Sequence, residues 1–178
     1  MTQNRLTAGN PFPKITVPVL GGTEMTLGMP RNGLDWQLVV VYRGKHCFVC
    51  ANYLKEWSAA RSNLTAIGID IVAVSADSLA RAETHIPDLN LNFPVGYDLG
   101  IEDMRKLGLY ISSPRSPEET DRPFAEPGHF VVNAKGLLLV ADVSNAPFAR
   151  PPVNYFVEGL RFIKDPANNY PIRGTFQR

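Results

Sequence analysis

Gln37-Leu38-Val39-Val40-Val41-Tyr42-Arg43-Gly44-Lys45-His46-Cys47-Phe48-Val49-Cys50 changes character twice along its length. Gln37 to Tyr42 is a continuous run of β-branched and apolar residues. A run without polar alternation predicts a strand covered on both faces, as in a mostly parallel sheet. Arg43 to His46 is a short cationic link. From there Cys50, Tyr53, Leu54, Trp57, Ala60 and Leu64 recur at helical spacing, which predicts an amphipathic helix from Cys47 to about Ser62.

The same pattern spreads outward. Downstream, Ile69 to Val74 reads as a second buried strand. Ser75 to Ser78 reads as a turn with N-cap chemistry, followed by a helix from Leu79 to about Ile86. Phe93 to Tyr97 is a short strand, Asp98 a capping residue, and Gly100 to Leu107 a short helix. The segment 111–126 is rich in Ser, Pro, Glu and Asp and reads as an exposed loop. His129 to Val132 and Leu137 to Asp142 form a hairpin through Asn133–Gly136. Pro151-Pro152 opens a last helix with Val153, Phe156, Leu160 and Ile163 as its buried stripe, and Pro166 ends it. Upstream, Pro11 to Leu27 reads as a small hairpin broken by Pro18 and Gly21-Gly22. Strands alternating with helices imply an α/β fold, a central mixed sheet flanked by helices, with an N-terminal β-hairpin. We expect one domain over 1–178, with 1–10 and 168–178 as surface tails.

Composition narrows the function class. Apolar residues make up 44% of the 178 residues and charged residues 20%, an ordinary globular balance. The formal charge of +1 gives no electrostatic reason to expect nucleic acid or an acidic membrane surface as partner. No apolar run approaches the roughly 20 residues of a membrane span. Met1 to Asn10 has no apolar signal-like core, so a cytoplasmic protein is expected.

There are two cysteines, Cys47 and Cys50. Closing so short a loop restrains the unfolded chain little, so stapling is a poor reason for the pair. Structural zinc takes four ligands, and beyond this pair the chain offers only His46, His85 and His129; no metal site is expected. Two inert cysteines on the packing face are the plain alternative. Position favours redox chemistry instead. The pair sits where a strand hands over to a helix, and the free N–H groups of a first helical turn favour a thiolate. Arg43, Lys45 and His46 add nearby cationic or polar groups. Cys47, the more N-terminal member, is therefore the expected nucleophile, with Cys50 one turn on and placed to close a disulfide. Pro127 precedes a core strand and faces the pair if that strand neighbours the first; an ordinary trans proline leaving a loop is the other reading. Arg43 has a donor fork suited to an oxyanion or peroxide oxygen, or else decorates the surface. Tyr42 and Trp57 are expected to pack, and His129 to be a satisfied structural histidine.

Taken together, Val41-Tyr42-Arg43-Gly44-x-x-Cys47-x-x-Cys50 and Tyr53-Leu54 resemble the peroxiredoxin-like branch of the alkyl hydroperoxide reductase/thiol-specific antioxidant family. Val74–Ser78, Phe93–Asp98, Phe130–Gly136 and Tyr170–Gly174 agree, so the resemblance covers roughly residues 10 to 175. It implies a thioredoxin-like fold, with Pro127 in the place of that fold's cis proline beside the cysteines. It also implies a peroxidatic Cys47 that passes through sulfenic acid, a resolving Cys50 and an external thiol reductant of thioredoxin, glutaredoxin or glutathione type. No cofactor is implied. A homodimer is one assembly it admits. Gly44, His46, Phe48 and Pro127 would surround the substrate, with Arg43 among the catalytic groups. The family pattern Pro-x-x-x-Thr-x-x-Cys is altered here: Val40 stands at the proline position and Gly44 at the threonine position, so the hydroxyl that helps orient peroxide is missing. The residue after the first cysteine, usually proline in this branch, is Phe48. Two other readings remain: a thioredoxin-like dithiol/disulfide oxidoreductase acting on a protein partner, and a redox-sensing module whose disulfide switches a surface.

Overall fold

The computed structural model describes residues 6–176. Thr16–Val19 (β1) and Thr23–Thr26 (β2) form the leading hairpin. Then follow Trp36–Val41 (β3), Phe48–Ala66 (α1), Ile69–Val74 (β4), Leu79–Leu89 (α2), Val95–Gly96 (β5) and Ile101–Lys106 (α3). Ile111–Ser112 (β6), Phe124–Ala125 (β7), Gly128–Val132 (β8), Leu138–Val143 (β9) and Val153–Lys164 (α4) come next, and a 3-10 turn at Pro166–Asn168 ends the order. One seven-stranded sheet runs β2-β1-β5-β4-β3-β8-β9. Its centre, β3, is parallel to β4 and antiparallel to β8, so the sheet is mixed.

The unbroken apolar run of β3 follows from this central place. Leu38, Val40 and Tyr42 face a core shared with α1 and with Val153, Val157 and Leu160 of α4. Val39 and Val41 face the opposite core, with Ile15, Leu27, Met104, Phe124 and Phe130. Alternation along a strand sends neighbours to opposite faces, and here both faces are buried. Among the described residues no helix is long and apolar enough to cross a membrane.

Several boundaries move for physical reasons. α1 continues four residues beyond Ser62 to Ala66, because Leu64 is fully buried and extends the stripe; Gly68, at φ +75°, turns the chain into β4. α2 absorbs Pro87 in its last turn and ends on buried Leu89, closed by Asn90 in the left-handed region. β5 is only two residues long. The capping role expected of Asp98 is not taken: Gly100 is the N-cap of α3, and Asp98, at φ +59°, pairs with Arg122.

The largest correction concerns 111–126. It is not a plain exposed loop: Ile111 pairs with Ala125 and Ser112 with Phe124, and Phe124, Ala125 and Glu126 are buried. Three apolar residues, Ile111, Phe124 and Ala125, among polar and charged ones leave no periodicity to read. Of the expected tails, 1–5 and 177–178 lie outside the described residues. At Gly9 and Phe12 the chain runs along the β8–β9 turn, donating to the carbonyls of Leu138 (2.8 Å) and Gly136 (2.9 Å).

Candidate active site

The site begins where β3 ends. Gly44, at φ +116°, reverses the chain, and the Gly44 carbonyl accepts the Cys47 N–H at 3.0 Å. Cys47 is therefore set as the N-cap of α1, in extended backbone geometry (φ −100°, ψ 92°). Its sulfur takes the place an Asp or Ser oxygen usually fills, accepting the Cys50 N–H at 3.2 Å. Cys47 and Cys50 are joined as a disulfide, their Cα atoms 5.2 Å apart. Cys50 is wholly buried and Cys47 is 4% exposed, whereas Phe48 between them is 76% exposed. An apolar side chain thus stands in solvent beside a nearly covered disulfide.

Asp77 closes the site from the turn after β4. The Lys45 N–H and Ser75 hydroxyl donate to its Oδ2 at 2.8 and 3.0 Å, and Arg81 Nε donates to its Oδ1 at 3.1 Å. The carboxylate is 3% exposed. A Cβ placed on Gly44 would lie 2.7 and 2.8 Å from its two oxygens. The carboxylate therefore fills the space a side chain at position 44 would need. Sequence reasoning missed Asp77, reading its turn only as helix-capping chemistry.

Arg43 leaves the same loop but meets carboxylates. Glu126 lies 3.3 Å and Glu119 3.9 Å from its nitrogens, and its guanidinium lies 4.8 Å from the Phe124 ring centroid. The reshaped 111–126 segment supplies all three partners, so Arg43 is tied into an acidic, aromatic wall. Glu119 is held in turn by Arg115, whose backbone and side chain keep its carboxyl below the ordinary carboxylate range. Glu119, Phe124 and Glu126 carried no sequence signal beyond residue type.

His46 packs at 4.5 Å from the Phe124 ring, with both ring nitrogens buried and unpaired. Burial, then the Arg43 charge, push its pKa below the usual histidine value, so the ring is neutral at pH 7. Pro127 is buried, next to Gly128, which lies opposite Val41 at the end of β3; its carbonyl accepts the Ser144 N–H at 3.0 Å. No described peptide bond is cis, so the cis geometry that the resemblance implies for Pro127 is not adopted. Tyr42 and Trp57 are buried packing residues, as expected. Among the described residues no cluster of three or more His, Cys, Asp or Glu side chains could hold a metal ion.

His129 is only half satisfied. Its Nδ1 lies 3.0 Å from Asp142 Oδ2 on the paired strand, but Nε2 is buried without a partner among Tyr53, Trp57 and Phe156. The neutral ring fits, with Nδ1–H donating to Asp142. A second proton would put a buried N–H against rings. Burial accordingly outweighs the Asp142 charge and holds the pKa below 6.5. Between that lowered value and 6.5 the unfolded chain binds more protons than the folded one. The stability contributed by the neutral ring is therefore present above pH 6.5 and is lost as pH falls below it. Thermal unfolding should show a lower midpoint at pH 5 than at pH 7.5, and His129→Phe should flatten that slope; an unchanged slope would remove His129 as its source.

The sequence profile described as the AhpC/TSA family matches residues 8–141. A Synechocystis protein named "Putative peroxiredoxin" is 27% identical over 153 residues, covering 82% of this chain and 72% of its own. Among solved structures, a mutant of peroxiredoxin 6 from Arenicola marina superposes with a TM-score of 0.72 at 17% identity, covering 90% of this chain and 76% of its own. A peroxiredoxin-like protein from Aquifex aeolicus gives 0.72 at 18% identity, with 88% and 87% covered. At those identities the superpositions speak for the fold.

Proposed function

The chain belongs to the AhpC/TSA family and is a Cys-based thiol peroxidase, and from that premise we propose that Cys47 attacks hydrogen or organic peroxides and Cys50 resolves the product. The observation that carries the assignment of roles is the placement of Cys47 as N-cap of α1, with Cys50 in disulfide reach one turn on. Free N–H groups at the helix start favour Cys47 as thiolate. The thiolate attacks one peroxide oxygen; the S–O bond forms, the O–O bond breaks, and the second oxygen leaves as alcohol or water after taking a proton. Cys50 then attacks the Cys47 sulfur, and water leaves as the disulfide closes. Two equivalents of an external thiol restore the dithiol by exchange.

We assign Gly44, His46, Phe48 and Pro127 to the surroundings of the bound peroxide: Gly44 and His46 lead into the Cys47 turn, Phe48 stands exposed beside it, and Pro127 immediately precedes β8, the strand paired with β3. Arg43 acts through the acidic wall it braces rather than as a free donor.

The test is direct. Reduced protein given hydrogen peroxide or an alkyl hydroperoxide, with dithiothreitol as reductant, should consume the peroxide over many turnovers. With no reductant it should stop after one equivalent, with the loss of two hydrogens by intact mass. Failure to consume either peroxide, together with reduction of a protein disulfide, would replace this reading with the dithiol/disulfide oxidoreductase.

A further inference from the structure

A cleft of about 350 Å³ opens one residue from the disulfide, between α1 and the segment joining β9 to α4. Val49, Asn52, Tyr53 and Glu56 form one wall, and Phe148 and Arg150 the other. The four α1 residues are spaced as one helical stripe. Arg150 is held in place: its Nη2 donates to the Val49 carbonyl at 3.1 Å, and its guanidinium lies 4.2 Å from the Tyr53 ring centroid. Tyr53 is fixed in turn, its hydroxyl donating to the Pro151 carbonyl at 2.7 Å. Among the described residues, Arg150 and Glu56 each enter no salt bridge, although both line this one cleft. Phe148, 80% exposed, forms an apolar rim.

We infer that this cleft binds the thiol reductant, and that the reductant is a low-molecular-weight thiol carrying a free α-amino-acid head. The inference deepens the thiol peroxidase reading and rests on it. A cation and an anion that enter no salt bridge and line one small cleft match a zwitterion. The planar fork of Arg150 suits its carboxylate, and Glu56 suits its ammonium. The volume lies at the lower end of the range for small-molecule sites. The rest of the ligand runs over Val49 toward the helix start, where its sulfur meets the disulfide. Access decides which sulfur it attacks, since Cys50 is fully buried and Cys47 is not. The ligand thiolate forms a bond to the Cys47 sulfur, the Cys47–Cys50 bond breaks, and Cys50 leaves as thiolate and takes a proton. A second molecule of the same thiol attacks the mixed disulfide, leaving as its own disulfide and freeing Cys47.

The experiment uses oxidised full-length protein, with glutathione as zwitterionic probe, dithiothreitol as uncharged probe and a reduced thioredoxin as protein probe. Single-turnover reduction is followed by intact mass. No peroxide is present, so a failed peroxide assay and a failed cleft remain separate results. Glutathione should reduce the wild type with saturation. In Arg150→Gln and in Glu56→Gln the ratio of the glutathione rate to the dithiothreitol rate should fall about tenfold, the size expected for one charge-assisted hydrogen bond. Dithiothreitol also reports whether a variant has merely loosened Tyr53, since both rates then fall together. An unchanged ratio in both variants overturns the proposal. So does reduction by thioredoxin without saturable reduction by glutathione.

Discussion

Cys47→Ser abolishes peroxide turnover, a loss of roughly 10³-fold or more, the scale on which removal of a nucleophile acts. Its serine oxygen has no accessible anionic form at pH 7 and no redox step to a disulfide. Cys50→Ser behaves differently. Its Cys47 still takes oxygen from one equivalent of peroxide, and the product stalls as sulfenic acid or as a mixed disulfide with added thiol, each read as a defined mass gain. The difference follows from placement. The Cys47 sulfur sits at the N-cap, receives the Cys50 N–H at 3.2 Å and keeps a small exposed area, whereas Cys50 points into the core beside Tyr53, Leu54 and Trp57. Neither substitution should unfold the protein, since the disulfide closes only a short loop and constrains the unfolded chain little. If Cys47→Ser retains one stoichiometric oxidation while Cys50→Ser loses it, the two roles are exchanged.

What the sequence made legible divides along physical lines. β3, α1 and β4 were readable because both faces of the central strands are buried, which leaves continuous apolar runs, and because α1 repeats its buried residues at helical spacing through Leu64. The cysteine pair was readable because it falls on the strand-to-helix junction. The surroundings of the pair were not. Arg43 reads as a free cation next to Cys47, yet Glu119 and Glu126 reach it from a segment whose charged composition looks like solvent-exposed loop. That segment folds back through two short strands of two residues each, too short for any period to show. Asp77 lay hidden for another reason. Ser-Ala-Asp-Ser before a helix is ordinary capping chemistry, and only the three-dimensional path of the Gly44 loop turns its carboxylate toward the site.

Gly44→Thr, which rewrites the altered position to the family pattern, should lower both stability and peroxide turnover. At φ +116° a β-branched residue is strained, at about 1–3 kcal/mol. Its Cβ would also stand 2.7 Å from a carboxylate oxygen of Asp77, which is held by Lys45, Ser75 and Arg81 and cannot withdraw without leaving those donors unpaired. A total cost of roughly 3–5 kcal/mol follows, and in a chain of this size that is a fall in melting midpoint on the order of 10 °C. Gly44→Ala carries the Cβ clash and the backbone strain alone and should account for most of the loss. Combining Gly44→Thr with Asp77→Ala relieves the clash, so the double variant should be more stable than the sum of the two single changes, a coupling that only neighbouring groups show. Additive losses would mean the two positions do not share this space, and a gain in turnover from Gly44→Thr alone would mean the threonine hydroxyl is compatible with this loop after all. The expected coupling makes residue 44 and Asp77 one packing unit: the space beside Gly44 is filled by a carboxylate from the turn after β4, and the same carboxylate holds the Lys45 N–H that leads into the Cys47 turn.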